Sequence, residues 1–264
     1  MSSLSLAVRD SSTMLRRNLL HARRYPSLTL NLLLTPIMLL LLFVYIFGDV
    51  MSAGLGGGGG ADRSEYIAYL VPGLLLMTIG STTIGTAVSV SNDMTEGIIA
   101  RFRTMAIHRG SVIIGHVIGS VLQSVMSVVL VGAVGVAIGF RSTDATALEW
   151  IAAFGLLTLF ALALTWIAVG MGMVSPNAEA ASNNAMPLIF LPLISSTFVP
   201  VDAMPGWFQP IAEYQPFTPA IETLRGLLLG TEIGNNGWLA VAWCLGLAAL
   251  GYFWSKAVFN RDPK

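Results

Sequence analysis

Charge is scarce in this sequence. Asp, Glu, Lys and Arg make up 11% of 264 residues, and 55% are hydrophobic; a soluble domain carries roughly a quarter charged residues. A soluble enzyme is excluded on that ground, and nucleic acid is not an expected partner of a chain with 14 basic and 14 acidic side chains. Cysteine is scarcer still: Cys244 stands alone, so no intrachain disulfide can form, and it reads as a packing residue. A phosphate-binding loop is missing too. The glycine run Gly54 to Gly60 is followed by Ala61-Asp62-Arg63 where such a loop needs Lys and then Ser or Thr, so it reads as a flexible linker. No catalytic residue, metal ligand or cofactor-binding residue is expected in the chain itself.

What is abundant is apolar sequence without charge. Six stretches lack all four charged residue types: Tyr25 to Gly48, Tyr66 to Asn92, Gly110 to Phe140, Trp150 to Ala178, Ala180 to Val201 and Ile233 to Ser255. Each reaches the roughly 20 residues that cross about 30 Å of hydrocarbon. The expected fold is an all-α polytopic membrane protein, a single transmembrane domain over 1–264, with transmembrane helices at 25–48, 66–91, 112–139, 150–174, 180–200 and 233–255. Residues 1–24 carry Arg9, Arg16, Arg17, Arg23 and Arg24 among Leu4, Val8, Leu15 and Leu19. That pattern predicts an interfacial amphipathic helix and offers no apolar core long enough for a cleavable signal, so the first span is its own insertion signal.

With the N-terminus in the cytoplasm, six spans return the C-terminus there. Inside segments then hold eleven Lys and Arg, and outside segments hold Arg63, Arg141 and Arg225. The positive-inside rule favours this orientation over its inverse.

Between the second and third spans, residues 92–111 mix charge with helical apolar spacing. Ile98, Ile99, Phe102, Met105 and Ala106 share a face, with Glu96, Arg101 and Arg103 towards the other, which predicts a short helix lying along the membrane. In the third span His116 has no carboxylate near it in sequence and reads as a hydrogen-bonded packing residue; Gly115 and Gly119 allow close helix approach.

Met186 to Gly230 is the segment that the other spans exist to hold. It is apolar, yet carries seven prolines: Pro187, Pro192, Pro200, Pro205, Pro210, Pro216 and Pro219. Proline removes a backbone donor and clashes with the preceding turn, and irregular backbone at membrane depth survives only where protein or a water-filled cavity satisfies it. The segment predicts one proline-kinked span to about Pro200, then a re-entrant hairpin at 201–232. Within it Arg225 needs a carboxylate or carbonyl oxygens. Glu222, three residues earlier, can pair with it on one helix face; Asp202 or Glu213 could instead hold it across the hairpin, or Arg225 could snorkel to the headgroups.

Two motifs carry a family resemblance. Glu96-Gly97 with ARFRTMAIHRGSVIIGH, and FVPVDAMPGWFQPIAEYQPFTPAIETLRGLLLG from Phe198 to Gly230, resemble the cytoplasmic coupling segment and the signature before the last span of type-two ATP-binding-cassette exporter permeases. The daunorubicin-resistance branch is the nearest in pattern. The chain departs from it at Ala100 and Ala106, where that branch commonly has an acidic residue and a proline.

The resemblance implies a half-transporter core in a bacterial plasma membrane. A second permease chain, as homodimer or heterodimer, and two copies of a separate ATPase would complete it, the ATPase holding ATP and magnesium. A hydrophobic or amphiphilic substrate such as a drug, antibiotic, lipid or glycolipid would move outward. Glu96, Gly97, Arg101, Phe102 and Arg103 would meet the ATPase; Pro200, Asp202, Pro205, Glu213, Pro216, Glu222, Arg225 and Gly230 would form the outer gate. A secondary transporter driven by an ion or proton gradient is the alternative, disfavoured because helix breaks are confined to the C-terminal half and paired membrane carboxylates are missing. A membrane serine hydrolase built on Ser81 and His116 is weaker still.

Overall fold

The computed structural model describes residues 26–48, 63–95, 109–142 and 145–260. The expected interfacial helix at 1–24 and the coupling residues Glu96, Gly97, Arg101, Phe102 and Arg103 lie outside the described residues. Helix is the only repetitive structure among those described. In chain order the elements are α1 (Pro26–Tyr45), α2 (Arg63–Thr95), α3 (Arg109–Ile138), α4 (Ala147–Val174), α5 (Ala178–Ala185), α6 (Pro187–Leu193), a 3-10 turn (Val201–Ala203), α7 (Gln209–Tyr214), α8 (Phe217–Leu229) and α9 (Asn236–Phe259).

Four of these, α2, α3, α4 and α9, are long and apolar enough to cross a membrane. At 1.5 Å per residue the 30-residue α3 is about 45 Å long, more than a hydrocarbon core requires. The start of α4 lies three residues before its predicted boundary for a local reason. Thr146 and Glu149 form a reciprocal cap, with Thr146 N–H donating to Glu149 Oε2 at 2.6 Å and Glu149 N–H to Thr146 Oγ1 at 3.3 Å.

Helix α2 occupies the middle. It packs against α1, α3, α4, α5, α6 and α8, and most of its span is buried, whereas α9 packs mainly on α4 and α8 and leaves Trp238, Leu250 and Phe253 outward. The main core runs between Leu70 and Leu74 of α2, Phe160 and Leu164 of α4, and Phe217, Ile221 and Leu224 of α8. Phe217 meets Phe160 edge to face at 4.9 Å. Cys244 is fully buried against the same core, as a packing residue would be. A second apolar cluster, at the other end of the bundle, joins Val90, Ile113, Val117, Val169, Met173 and Phe259.

The predicted fifth span is where sequence and structure part. One kinked helix at 180–200 was the expectation; the chain instead forms α5, a break at Met186, α6, and turns to Val199. Pro187 has no N–H to continue the ladder, so Met186 N–H closes a tight three-residue turn on Asn183 O and α6 restarts from Met186 O. Pro192 repeats the effect one turn later. Ile194 and Ser195 N–H reach only three residues back, to Leu191 and Pro192, and helix gives way to a run of turns. Beyond Pro200, within the predicted hairpin at 201–232, the chain forms the 3-10 turn, α7 and α8, and α8 lies within the bundle, buried over most of its surface.

Candidate functional site

Unwinding after Pro192 leaves the peptide of Ser196 without helical partners inside the bundle, where it is fully buried. An unpaired backbone group there would cost several kcal/mol, on the order of a lost hydrogen bond in hydrocarbon. Three side chains remove that cost. Ser196 N–H donates to Thr218 Oγ1 at 3.3 Å, and its carbonyl accepts from Arg225 Nη2 at 2.6 Å and Tyr69 OH at 2.8 Å.

Arg225 is itself 4% exposed. Its Nε donates to Tyr69 O at 3.0 Å, Nη1 to Glu222 Oε1 at 2.6 Å and to Ser196 Oγ at 3.3 Å, and its plane lies on the Tyr69 ring. Of the arrangements left open by the sequence, Glu222 is the carboxylate used. Snorkelling is not, because the guanidinium is enclosed. The expectation that carbonyl oxygens could serve is met as well, by Ser196 O and Tyr69 O. Arg225 thus joins α2, the unwound 195–197 turn and α8.

Two glycines make this geometry possible. A Cβ on Gly73 would lie 2.7 Å from Thr197 Cγ2 and 2.9 Å from Thr197 Cα, so only glycine lets the turn lie against α2. Gly230 ends α8 at φ 72° and ψ 16°, in the left-handed region that glycine enters without penalty, and its N–H returns to Gly226 O.

Four of the predicted hairpin residues, Pro200, Asp202, Glu213 and Glu222, lie around a cavity of about 350 Å³ beside this knot. Tyr69, Asp202, Gln209, Glu213, Thr218 and Glu222 line it, as does Pro200. Asp202 and Glu213 are therefore near Glu222 at the cavity wall but not on Arg225. Pro205 turns the chain into α7 by accepting from Phe208 and Gln209 N–H, and Pro216 is the cap residue of α8.

At the opposite end of α2 the structure supplies His116 with a partner that sequence distance concealed. Asp93 Oδ2 lies 2.9 Å from His116 Nε2, in a buried pair. Further along the α2–α3 contact, Thr86 meets Ser120, Thr82 meets Ser124 at 2.7 Å, and Ser120 lies 3.3 Å from Thr165 of α4. Ser81 bonds its own helix at Met77 O instead of His116, so no hydrolytic pair is assembled. Sequence reasoning missed Tyr69, Ser196 and Asp93 as site residues; the one usable signal was that an unwound segment must find donors somewhere.

The family model described as ABC-2 type transporter matches residues 10–229. Among curated proteins, the daunorubicin resistance ABC transporter permease protein DrrB1 of Streptomyces coeruleorubidus is 30% identical over 230 residues, 85% of this chain and 77% of that protein. Nodulation protein J of Rhizobium meliloti is 25% identical over 238 residues, 83% and 82% of the two chains. The probable doxorubicin resistance permease DrrC of Mycobacterium tuberculosis is 21% identical over 180 residues, 66% and 64%. A match that runs from residue 10 to the last residue of α8 takes in every element that builds the Arg225 knot, and the chain belongs to the ABC-2 type transporter family, as a multi-pass membrane permease.

Proposed function

We propose that this permease is the membrane subunit of an ATP-driven exporter. It moves a hydrophobic or amphiphilic molecule (drug, antibiotic, lipid or glycolipid) out of the cytoplasm or inner leaflet of a bacterial plasma membrane. In this reading six spans, the fifth of them broken, put both termini in the cytoplasm. A separate ATPase in two copies, holding ATP and magnesium, seats on the 92–111 segment through Glu96, Gly97, Arg101, Phe102 and Arg103. A second permease chain completes the pathway, and 201–232 re-enters the outer leaflet as a gate braced by Arg225. The observation that carries the reading is the family match over residues 10–229, reinforced by relatives named for daunorubicin and doxorubicin resistance. The 264 residues contain no phosphate loop, in keeping with an energy source on another chain.

The test is reconstitution. Vesicles holding this chain together with its proposed ATPase partner should accumulate a fluorescent anthracycline when supplied with ATP, and vesicles with either chain alone should not. Accumulation driven by an ion gradient, with ATP and the ATPase left out, would overturn the proposal.

A further inference from the structure

Helix α7 has two unlike faces. Phe208, Gln209, Ile211 and Ala212 N–H all reach back three or four residues, so the chain is already helical at Trp207. Trp207, Ile211 and Tyr214, at steps of four and three, therefore form one row, and they are 77%, 52% and 56% exposed. Gln209 and Glu213, one turn apart, lie on the opposite side and line the cavity with Asp202 and Glu222. Ala212, between the two faces, is fully buried.

One hydrogen bond reports the depth of this helix. Trp243 Nε1 donates to Tyr214 O at 2.9 Å, and Trp243 stands seven residues into α9. At 1.5 Å per residue that is about 10 Å from the end of the span, and the 24-residue α9 is about 36 Å long against about 30 Å of hydrocarbon. Even with all of the roughly 6 Å excess at this end, Tyr214 O lies about 4 Å inside the hydrocarbon. Lipid offers that carbonyl no donor, and the indole N–H supplies one. Glu213, one residue earlier, needs water at such a depth, and the cavity that it lines has room for it.

We infer that the row of Trp207, Ile211 and Tyr214 docks on lipid acyl chains in the leaflet where α9 begins, with Trp243 as the positioning residue that fixes its depth. Three observations select lipid over a second protein. At Tyr214 and Trp243 the row joins the outward surface of α9, where Trp238, Val241 and Leu245 are exposed on a membrane span. The row is bulky throughout and holds no Gly, Ala or Ser, the small residues that let helices approach one another in a bilayer. Trp and Tyr are also the residues that collect at the boundary of the hydrocarbon. Helix α7 thus stands as a partition, with acyl chains on one face and water on the other. The inference rests on the exporter reading only for the name of that leaflet, the outer one.

The test is nitroxide labelling of single cysteines in a Cys244→Ser background, with the whole chain in vesicles of phosphatidylcholine and phosphatidylglycerol. Oxygen concentrates in hydrocarbon and a nickel chelate stays in water. Labels at Trp207→Cys, Ile211→Cys and Tyr214→Cys should show a ratio of oxygen to chelate collisions at least about fivefold above that of labels at Gln209→Cys and Glu213→Cys, and close to that of Leu245→Cys on α9. Trp243→Phe keeps a ring and removes the donor; it should lower the ratio at Ile211→Cys and Tyr214→Cys at least about twofold while Leu245→Cys keeps its own. Row labels that meet mainly the chelate would place the face in water, and labels shielded from both reagents would place it under protein, a second copy included. With Leu245→Cys still in oxygen, either result overturns the inference. An unaltered ratio in Trp243→Phe would strip Trp243 of the positioning role. Neither ATPase nor substrate enters this readout, so failed export leaves the docking of α7 standing, and a row found in water or under protein leaves the exporter reading standing.

Discussion

Tyr69 grips Arg225 twice: its ring lies 3.5 Å from the guanidinium carbon and its carbonyl oxygen accepts from Nε at 3.0 Å. The same arginine reaches Glu222 and Ser196 with its remaining nitrogens. A planar fork with five donors can hold all of these at once; an ammonium cannot.

Arg225→Ala is therefore expected to destabilise the chain by about 3 kcal/mol, since it removes one of the two donors to Ser196 O and leaves Glu222 without its cationic partner at the cavity wall. ATPase assembly and nucleotide binding should persist while hydrolysis no longer drives export. Arg225→Lys should recover only part of both. Thermal unfolding in detergent gives the first quantity, and paired export and ATPase rates in vesicles give the second; wild-type export by Arg225→Ala would remove the brace from the mechanism.

Gly73→Ala should cost about 1–3 kcal/mol by overpacking, despite its small size and its helical setting. The nearest obstacle includes Thr197 Cα, a backbone atom, so the turn must move as a unit. Adding Thr197→Ala removes the Cγ2 contact alone and should restore less than half of the loss. Full recovery of the melting temperature by the double variant would show that the side chain, and not the close backbone approach, sets the limit.

How much of this was legible beforehand depended on whether the cause was local. Span existence follows from composition, and α2, α3, α4 and α9 came through with boundaries moved by a few residues, as at the Thr146–Glu149 cap. Glu222 stood among the possible partners of Arg225, beside Asp202 and Glu213, because it shares a helix face with Arg225, and the structure selects it. Tyr69 was not, since it looks like any aromatic in a charge-free span and lies 156 residues from Arg225. Asp93 was assigned to the loop because charge was taken to end a span; α2 continues past it to Thr95 because His116 gives the carboxylate a buried partner. Pro187 and Pro192 announced a break, but its depth, a loss of helix and not a kink, depended on donors from α2 and α8 that local sequence cannot reveal.

Phe102→Asp addresses the coupling segment. If Phe102 seats in an apolar groove of the ATPase, a charge there should cost about 2–4 kcal/mol of binding and abolish co-purification at ordinary concentrations, with expression unchanged. Unaltered ATPase yield in a pull-down would exclude Phe102 from the contact.

Topology is open to direct chemical labelling. In a Cys244→Ser background, Gly57→Cys should react with an impermeant thiol reagent in intact cells and Ser3→Cys only after permeabilisation, as the distribution of arginine and lysine requires. Equal labelling of the two in intact cells would reverse or discard the proposed orientation.

The broken segment has a consequence for biogenesis. Helices α5 and α6 are eight and seven residues long, and α5 carries Glu179, Ser182, Asn183 and Asn184. Neither helix spans a bilayer, and the turns after α6 expose peptide groups that lipid cannot satisfy. During synthesis this stretch has no stable place in the membrane by itself; α2 and α4 leave the ribosome earlier and offer a surface for it, but the donor Arg225 emerges about 30 residues after Ser196. Residues 178–200 must therefore be sheltered, by the insertion machinery or by α2, until α8 has been made. Thr218 and Arg225, both on α8, then complete the hydrogen bonding of Ser196 that Tyr69 of α2 can begin.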